Sequence, residues 1–178
     1  SDEIMSVAKK YGAECLFKRP KKLSGDYIGT GEVIKHAINW IEKKIMKPTI
    51  ICVIYPTAPL LIAEDLIKSY KIINKGKYGC VFSAVKNSYP IQRSFYLNKK
   101  KNITMLDKKN YHIRSQDFVE TFHDAGQFYW GTYDYWIKNK IIFNKNSMFY
   151  LLPQLRVQDI DNIEDLQIAK KLYKLLPK

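Results

Sequence analysis

Apolar positions along this chain fall into two alternating rhythms, and the alternation predicts the fold. Residues 2–11 read as a helix with Asp2 and Glu3 in its first turn and Gly12 as its stop. Residues 14–17 are a short strand candidate. Thr30 is placed to cap a long amphipathic helix over residues 30–46, with Val33, Ala37, Ile41 and Ile45 on one face. A buried strand over 49–55, a helix over 63–73 and a second buried strand over 79–85 follow. Near-continuous apolar strands separated by helices predict an α/β domain with a mostly parallel sheet covered on both faces. Over residues 86–111 the rhythm changes: 91–97 and 103–106 flank a polar turn, as in a hairpin projecting from the body. Further strands are predicted over 127–131 and 147–152. Asn162 then opens a terminal amphipathic helix carrying Ile163, Leu166, Ala169 and Leu172. There is no internal repeat and no linker, so residues 1–178 read as one domain with the hairpin inserted.

Composition narrows the class. With 46% hydrophobic and 26% charged residues the chain reads as soluble and globular. Its longest apolar run, residues 50–62, is broken by Pro56, Thr57 and Pro59 and is too short to span a bilayer. The acidic start, Ser1-Asp2-Glu3, does not resemble a signal peptide. The three cysteines, Cys15, Cys52 and Cys80, sit in apolar runs with no close pairing, which predicts small core residues in a reducing cytoplasm. A net charge of +13 invites a nucleic-acid partner, but the lysines are scattered rather than gathered into a stripe. No nucleic acid and no membrane is therefore the expectation, with the positive field left to attract anionic small molecules.

The candidate chemistry gathers in a few segments. Residues 114–131 hold an arginine, two glutamines, a histidine and five aromatics within eighteen positions, a mixture suited to a polar anion between flat apolar walls. Arg114 matches a carboxylate bidentately. Gln116, Gln127, Phe128 and Tyr129 are candidate contacts. Tyr129 and Trp130 point opposite ways in a strand, so one lines the pocket and the other packs inside. His123 is either a base or a loop-ordering residue. Asp159 and Asp161, two apart, can face one hard cation, or they form a solvated approach to the last helix with Asp161 or Asn162 as its cap. Arg19-Pro20 opens a loop running to Thr30, either a phosphate and ribose holder or a surface turn. Tyr55-Pro56-Thr57-Ala58-Pro59 follows a strand end, where ligands approach a parallel sheet. Walker loops, zinc-type Cys/His spacing and serine elbows are lacking.

Taken in order, these segments resemble the acylneuraminate (CMP-sialic acid synthetase) family of cytidylyltransferases over essentially the whole chain. Arg19-Pro20 with Asp26 and Thr30 is similar to the family's nucleotide loop, and Tyr55-Pro56-Thr57-Ala58-Pro59 to its Gln-Pro-Thr-Ser-Pro segment. Arg114-Ser115-Gln116-Asp117 is similar to the segment that binds the sugar-acid carboxylate, and Asp159-Ile160-Asp161 to the Asp-Ile-Asp magnesium motif. Tyr55 and the 123–130 segment follow the pseudaminic-acid branch. The resemblance implies a three-layer, Rossmann-like nucleotidyltransferase fold with a dimerisation hairpin, CTP and a nonulosonic acid as substrates, Mg2+ and a homodimer. It assigns Asp159 and Asp161 to metal and catalysis, Arg19, Thr30, Tyr55, Pro56 and Thr57 to the nucleotide, and Arg114, Gln116, Gln127, Phe128 and Tyr129 to the sugar acid. The alternatives are sialic or legionaminic acid as substrate, or a non-catalytic fragment. The last is weighed because Ser1 aligns just past the family's second strand, so that the basic glycine loop and the first strands are expected to be missing.

Overall fold

The computed structural model describes residues 1–25, 27–138 and 141–176. Its main sheet has four strands, β1 (Ile50–Ile54), β2 (Cys80–Lys86), β5 (Phe122–Thr132) and β6 (Ser147–Leu152), in the order β1-β5-β2-β6. β1, β2 and β6 run the same way and β5 runs against them from the middle of the sheet. Two more strands, β3 (Phe95–Leu97) and β4 (Ile103–Met105), form the projecting hairpin as a separate sheet. The hairpin turn is tied by Asn98, whose Oδ1 accepts from the amides of Lys100 at 2.9 Å and Asn102 at 3.1 Å.

Helices cover both faces. α2 (Thr30–Lys44) and α4 (Tyr133–Lys138) bury Ile34, Ile38, Tyr135 and Trp136 against Cys80, Phe82, Ala84 and Tyr129. On the opposite face Val85, Ala125, Phe128 and Leu152 form a second core with Leu61 and Leu66, the latter from α3 (Ala63–Ile73). α1 (Asp2–Lys10) ends at Gly12, whose φ of +89° stops the helix as predicted. α5 (Ile163–Tyr173) begins at an Asn162 cap completed by Asp165. Gly131 is required by close approach: a Cβ there would lie 2.3 Å from the Trp136 indole nitrogen.

Several expectations are corrected. Residues 14–17 form no strand; instead Phe17 packs on Trp40, with ring centroids 4.9 Å apart, and on His36. The helix predicted over 30–46 stops at Lys44, and its cap is Gly29 rather than Thr30. Its buried stripe is Ile34 and Ile38, one position later than the predicted face, with Ile45 exposed. β1 is only half-buried, because it is an outer strand paired on one side, with β5, among the described residues. β5 starts at Phe122, five residues earlier than the predicted strand. All three cysteines are free, but Cys15 lies outside any strand and Cys80 alone is fully buried.

Candidate active site

The carboxyl end of β1 and the bulged middle of β5 meet at a cleft of about 310 Å³. Thr30, Lys35, Tyr55, Asp124, Tyr129 and Trp136 are among its walls. Tyr55 is set there by the end of β1, where its amide donates to the Gln127 carbonyl at 2.9 Å. Its ring lies 5.1 Å from that of Tyr129, and its hydroxyl reaches Thr30 Oγ1 at 3.4 Å. Tyr129 donates to Asp124 Oδ2 at 2.6 Å, and burial with that carboxylate holds its phenol well above the ordinary range. Tyr129 therefore stays a neutral donor to Asp124 at working pH.

Asp124 also borders a second cleft, of about 330 Å³, shared with Lys86, His123, Gln158 and Asp159. His123 Nδ1 lies 2.9 Å from the Asp124 carbonyl, a contact that orders the loop. The two clefts share a wall because β5 bulges here. Opposite β2, Phe82 pairs with Tyr129 but Ala84 already pairs with Asp124, so residues 125–128 face Ser83 alone. Gly126 takes φ +63° in this bulge, and its amide donates to Asp124 Oδ1 at 2.9 Å. The freed amides of Gln127 and Phe128 donate to the buried Ser83 hydroxyl at 3.3 and 3.1 Å.

The remaining predicted residues divide clearly. Asp159 lines the second cleft, while Asp161 is exposed beside it in sequence. Neither is ion-paired among the described residues, and no group of three or more His, Cys, Asp or Glu converges there among them. Two available carboxylates fit a hard divalent cation that completes its shell with water and phosphate oxygens. Arg114 is exposed, its guanidinium held by Asp117 through bonds of 2.9 and 3.1 Å. Gln116 lines a third cleft, of about 230 Å³, with Lys86 and Phe118. Arg19 and Pro56 are exposed and Thr57 half-buried, and none of the three borders the first cleft. Asp26 lies outside the described residues.

Two sugar-side candidates sit inside the protein. Phe128 has no exposed surface and belongs to the second core. Gln127 is 3% exposed; its side-chain nitrogen donates to the Arg156 carbonyl, and its Oε1 is buried without a partner among the described residues. The strand alternation explains Phe128: Tyr129 takes the cleft face, and its neighbours take the other. Trp130 accordingly donates to Ser69 of α3 at 2.9 Å. No motif of its own marks Asp124 in the sequence. Its signal was its place two residues before Gly126 in the same aromatic segment.

No family model matches the chain. Pseudaminic acid cytidylyltransferase of Campylobacter jejuni subsp. jejuni serotype O:2 is 43% identical over 176 residues, covering 98% of this chain and 75% of that protein. The CMP-N,N'-diacetyllegionaminic acid synthase of the same organism is 29% identical, over 98% of this chain and 74% of its own length. Among solved structures, 4-diphosphocytidyl-2C-methyl-D-erythritolsynthase from Anaerococcus prevotii superposes with a TM-score of 0.52, covering 97% of this chain and 76% of that one. At 10% identity that likeness shows the fold alone, a mixed α/β sheet covered by helices. By its identity to the first of these relatives, the chain belongs to the pseudaminic acid cytidylyltransferase family.

Proposed function

We propose that the protein transfers the cytidylyl group of CTP to pseudaminic acid, releasing pyrophosphate. The observation that carries this reading is the 43% identity to a pseudaminic acid enzyme, against 29% to a legionaminic acid one, over the same 98% of the chain. The anomeric hydroxyl oxygen of the sugar acid attacks the α-phosphorus. A new O–P bond forms, the bond from that phosphorus to the bridging oxygen breaks, and pyrophosphate leaves with the bridging electrons. Asp161 accepts the hydroxyl proton. A divalent cation, Mg2+ in this reading, is held by Asp159 and Asp161 and when bound supplies charge neutralisation at the phosphates.

Thr30 and Tyr55 meet the nucleotide at the first cleft, with Arg19, Pro56 and Thr57 on the approaching loops. Tyr129 shapes the sugar side, and Gln116 and Arg114 bind it from the hairpin's base. Arg114 exchanges the Asp117 carboxylate for that of the sugar acid, a like-for-like swap that favours bidentate binding without leaving the guanidinium bare. The exposed hairpin side chains Phe95, Leu97 and Ile103 pair with a second copy, making a homodimer.

The test is pyrophosphate release from CTP with pseudaminic, legionaminic and sialic acids in turn. Turnover is expected to be fastest with pseudaminic acid, and a preference for sialic acid would sink the specificity. Asp159→Ala and Asp161→Ala are each expected to lower kcat by about 100-fold or more, the scale of losing a group that acts on the reacting atoms. Full metal-dependent activity in either variant would remove that residue from the mechanism.

A further inference from the structure

Asp159 and Asp161 lie on an irregular stretch between β6 and α5, where loose coil would hold two carboxylates poorly. Both ends of that stretch are gripped. At its far end the amides of Asp161 and Asn162 both donate to Asp165 Oδ2 at 3.1 Å, and Asn162 Oδ1 accepts from the Asp165 amide at 3.0 Å. At its near end stands Arg156, the last residue of the turn Gln154–Arg156. Its guanidinium forks onto Asp65 of α3, one bond of 3.2 Å reaching Oδ1 and a second, shorter contact reaching Oδ2. Asp65 is 2% exposed and also accepts from the Tyr150 hydroxyl at 3.2 Å. The Arg156 backbone carbonyl in turn accepts from the Gln127 side chain of β5. One residue thus ties the stretch to the helix layer and to the central strand.

Burying an ion pair is a poor way to gain stability, since apolar side chains of similar volume commonly do as well or better. What the pair supplies is a fixed place for the backbone that leaves it three residues before Asp159. We propose that the Asp65–Arg156 pair with Gln127 is a positioning clamp, which holds the Asp159–Asp161 stretch so that its carboxylates can bind a divalent cation together. Asp65, Arg156 and Gln127 touch neither metal nor substrate. They are positioning residues, and the inference rests on the reading of Asp159 and Asp161 as the metal-holding pair. It also accounts for the bond from the Gln127 side chain to the Arg156 carbonyl and for an aspartate at a fully buried position of α3.

The experiment replaces the pair by apolar volume, Asp65→Leu with Arg156→Met, in the whole protein. It measures Mn2+ binding from the free-ion EPR signal without substrates, and thermal unfolding alongside. The double variant is expected to melt close to the wild type while its Mn2+ dissociation constant rises about tenfold, as for lost outer-shell support. The metal concentration for half-maximal turnover rises with it, and KM for the sugar acid does not. A folded double variant that binds Mn2+ like the wild type overturns the clamp. Asp159→Ala is the reference: if it also leaves Mn2+ binding unchanged, the metal reading falls and the clamp with it. If Asp159→Ala abolishes binding and the clamp variants do not, the clamp alone falls. Should the double replacement not fold, Gln127→Leu, which keeps the ion pair, decides: weaker Mn2+ binding supports the clamp and unchanged binding overturns it.

Discussion

Ser83 shows how one small polar side chain in the buried run of a central strand can define a site. Its hydroxyl accepts from two amides that the β5 bulge takes out of the ladder, at 3.3 and 3.1 Å. Without it both donors would be buried and unpaired, each costing about 1–3 kcal/mol. Ser83→Ala is therefore expected to lower unfolding free energy by about 2 kcal/mol or more, read from urea titration. A loss within experimental error would mean that the bulge does not depend on this residue. Because the bulge carries Asp124 and aims Tyr129, the same variant should raise KM for the sugar acid. Sequence reading saw Gly126 and the aromatics but not this dependence, since a serine amid Val81, Phe82, Ala84 and Val85 looks like filler.

Elements with a strong local period were legible from the sequence. α3 and β6 match their predicted bounds, because amphipathic spacing and turn residues both mark their ends. The apolar spacing locates α2 but phases it one residue early. Its face is chosen by α4, whose Tyr135 and Trp136 meet Ile34 and Ile38 and which no local signal announced. Long-range pairing hid the rest: the extension of β5 back to Phe122 exists only because β2 is there to receive it, at Lys86. Of the candidate residues, Tyr55, Tyr129 and Asp159 line clefts, while strand alternation turns Phe128 into the second core and a bond to the Arg156 carbonyl holds Gln127 inside. The hairpin was legible from its polar turn, and it leaves Phe95, Leu97 and Ile103 more than half exposed. If the proposed homodimer forms through the hairpin, the wild type sediments as a dimer and a Leu97→Asp variant keeps the fold but sediments as a monomer. Unchanged sedimentation would separate the hairpin from assembly.

At the scale of the whole molecule, the core also sets a limit on alkaline stability. Burial pushes the thiols of Cys52 and Cys80 up to about 12 from an ordinary 9.0. Below pH 9 folded and unfolded chains both keep these protons. Above it the unfolded chain releases them while the folded one holds them, so stability is lost as pH rises from about 9 toward 12. Urea midpoints should fall steadily over that range, and Cys80→Ala should flatten the fall; an identical slope in the variant would exclude the thiol as its cause.

The reversed strand in the middle of the sheet has a kinetic consequence. β1 and β2 never touch each other in the ladder; each reaches the other only through β5, which the chain supplies some seventy residues after β1. During synthesis the β1–β5 and β5–β2 pairings must therefore wait until residues 122–132 arrive. Loop closure over that separation is slow compared with local helix formation. The strand that brings Asp124 and Tyr129 to the clefts is thus also the piece whose arrival joins β1 to β2. A nascent chain stopped before Phe122 would hold helix α3 between two strands not yet linked by β5.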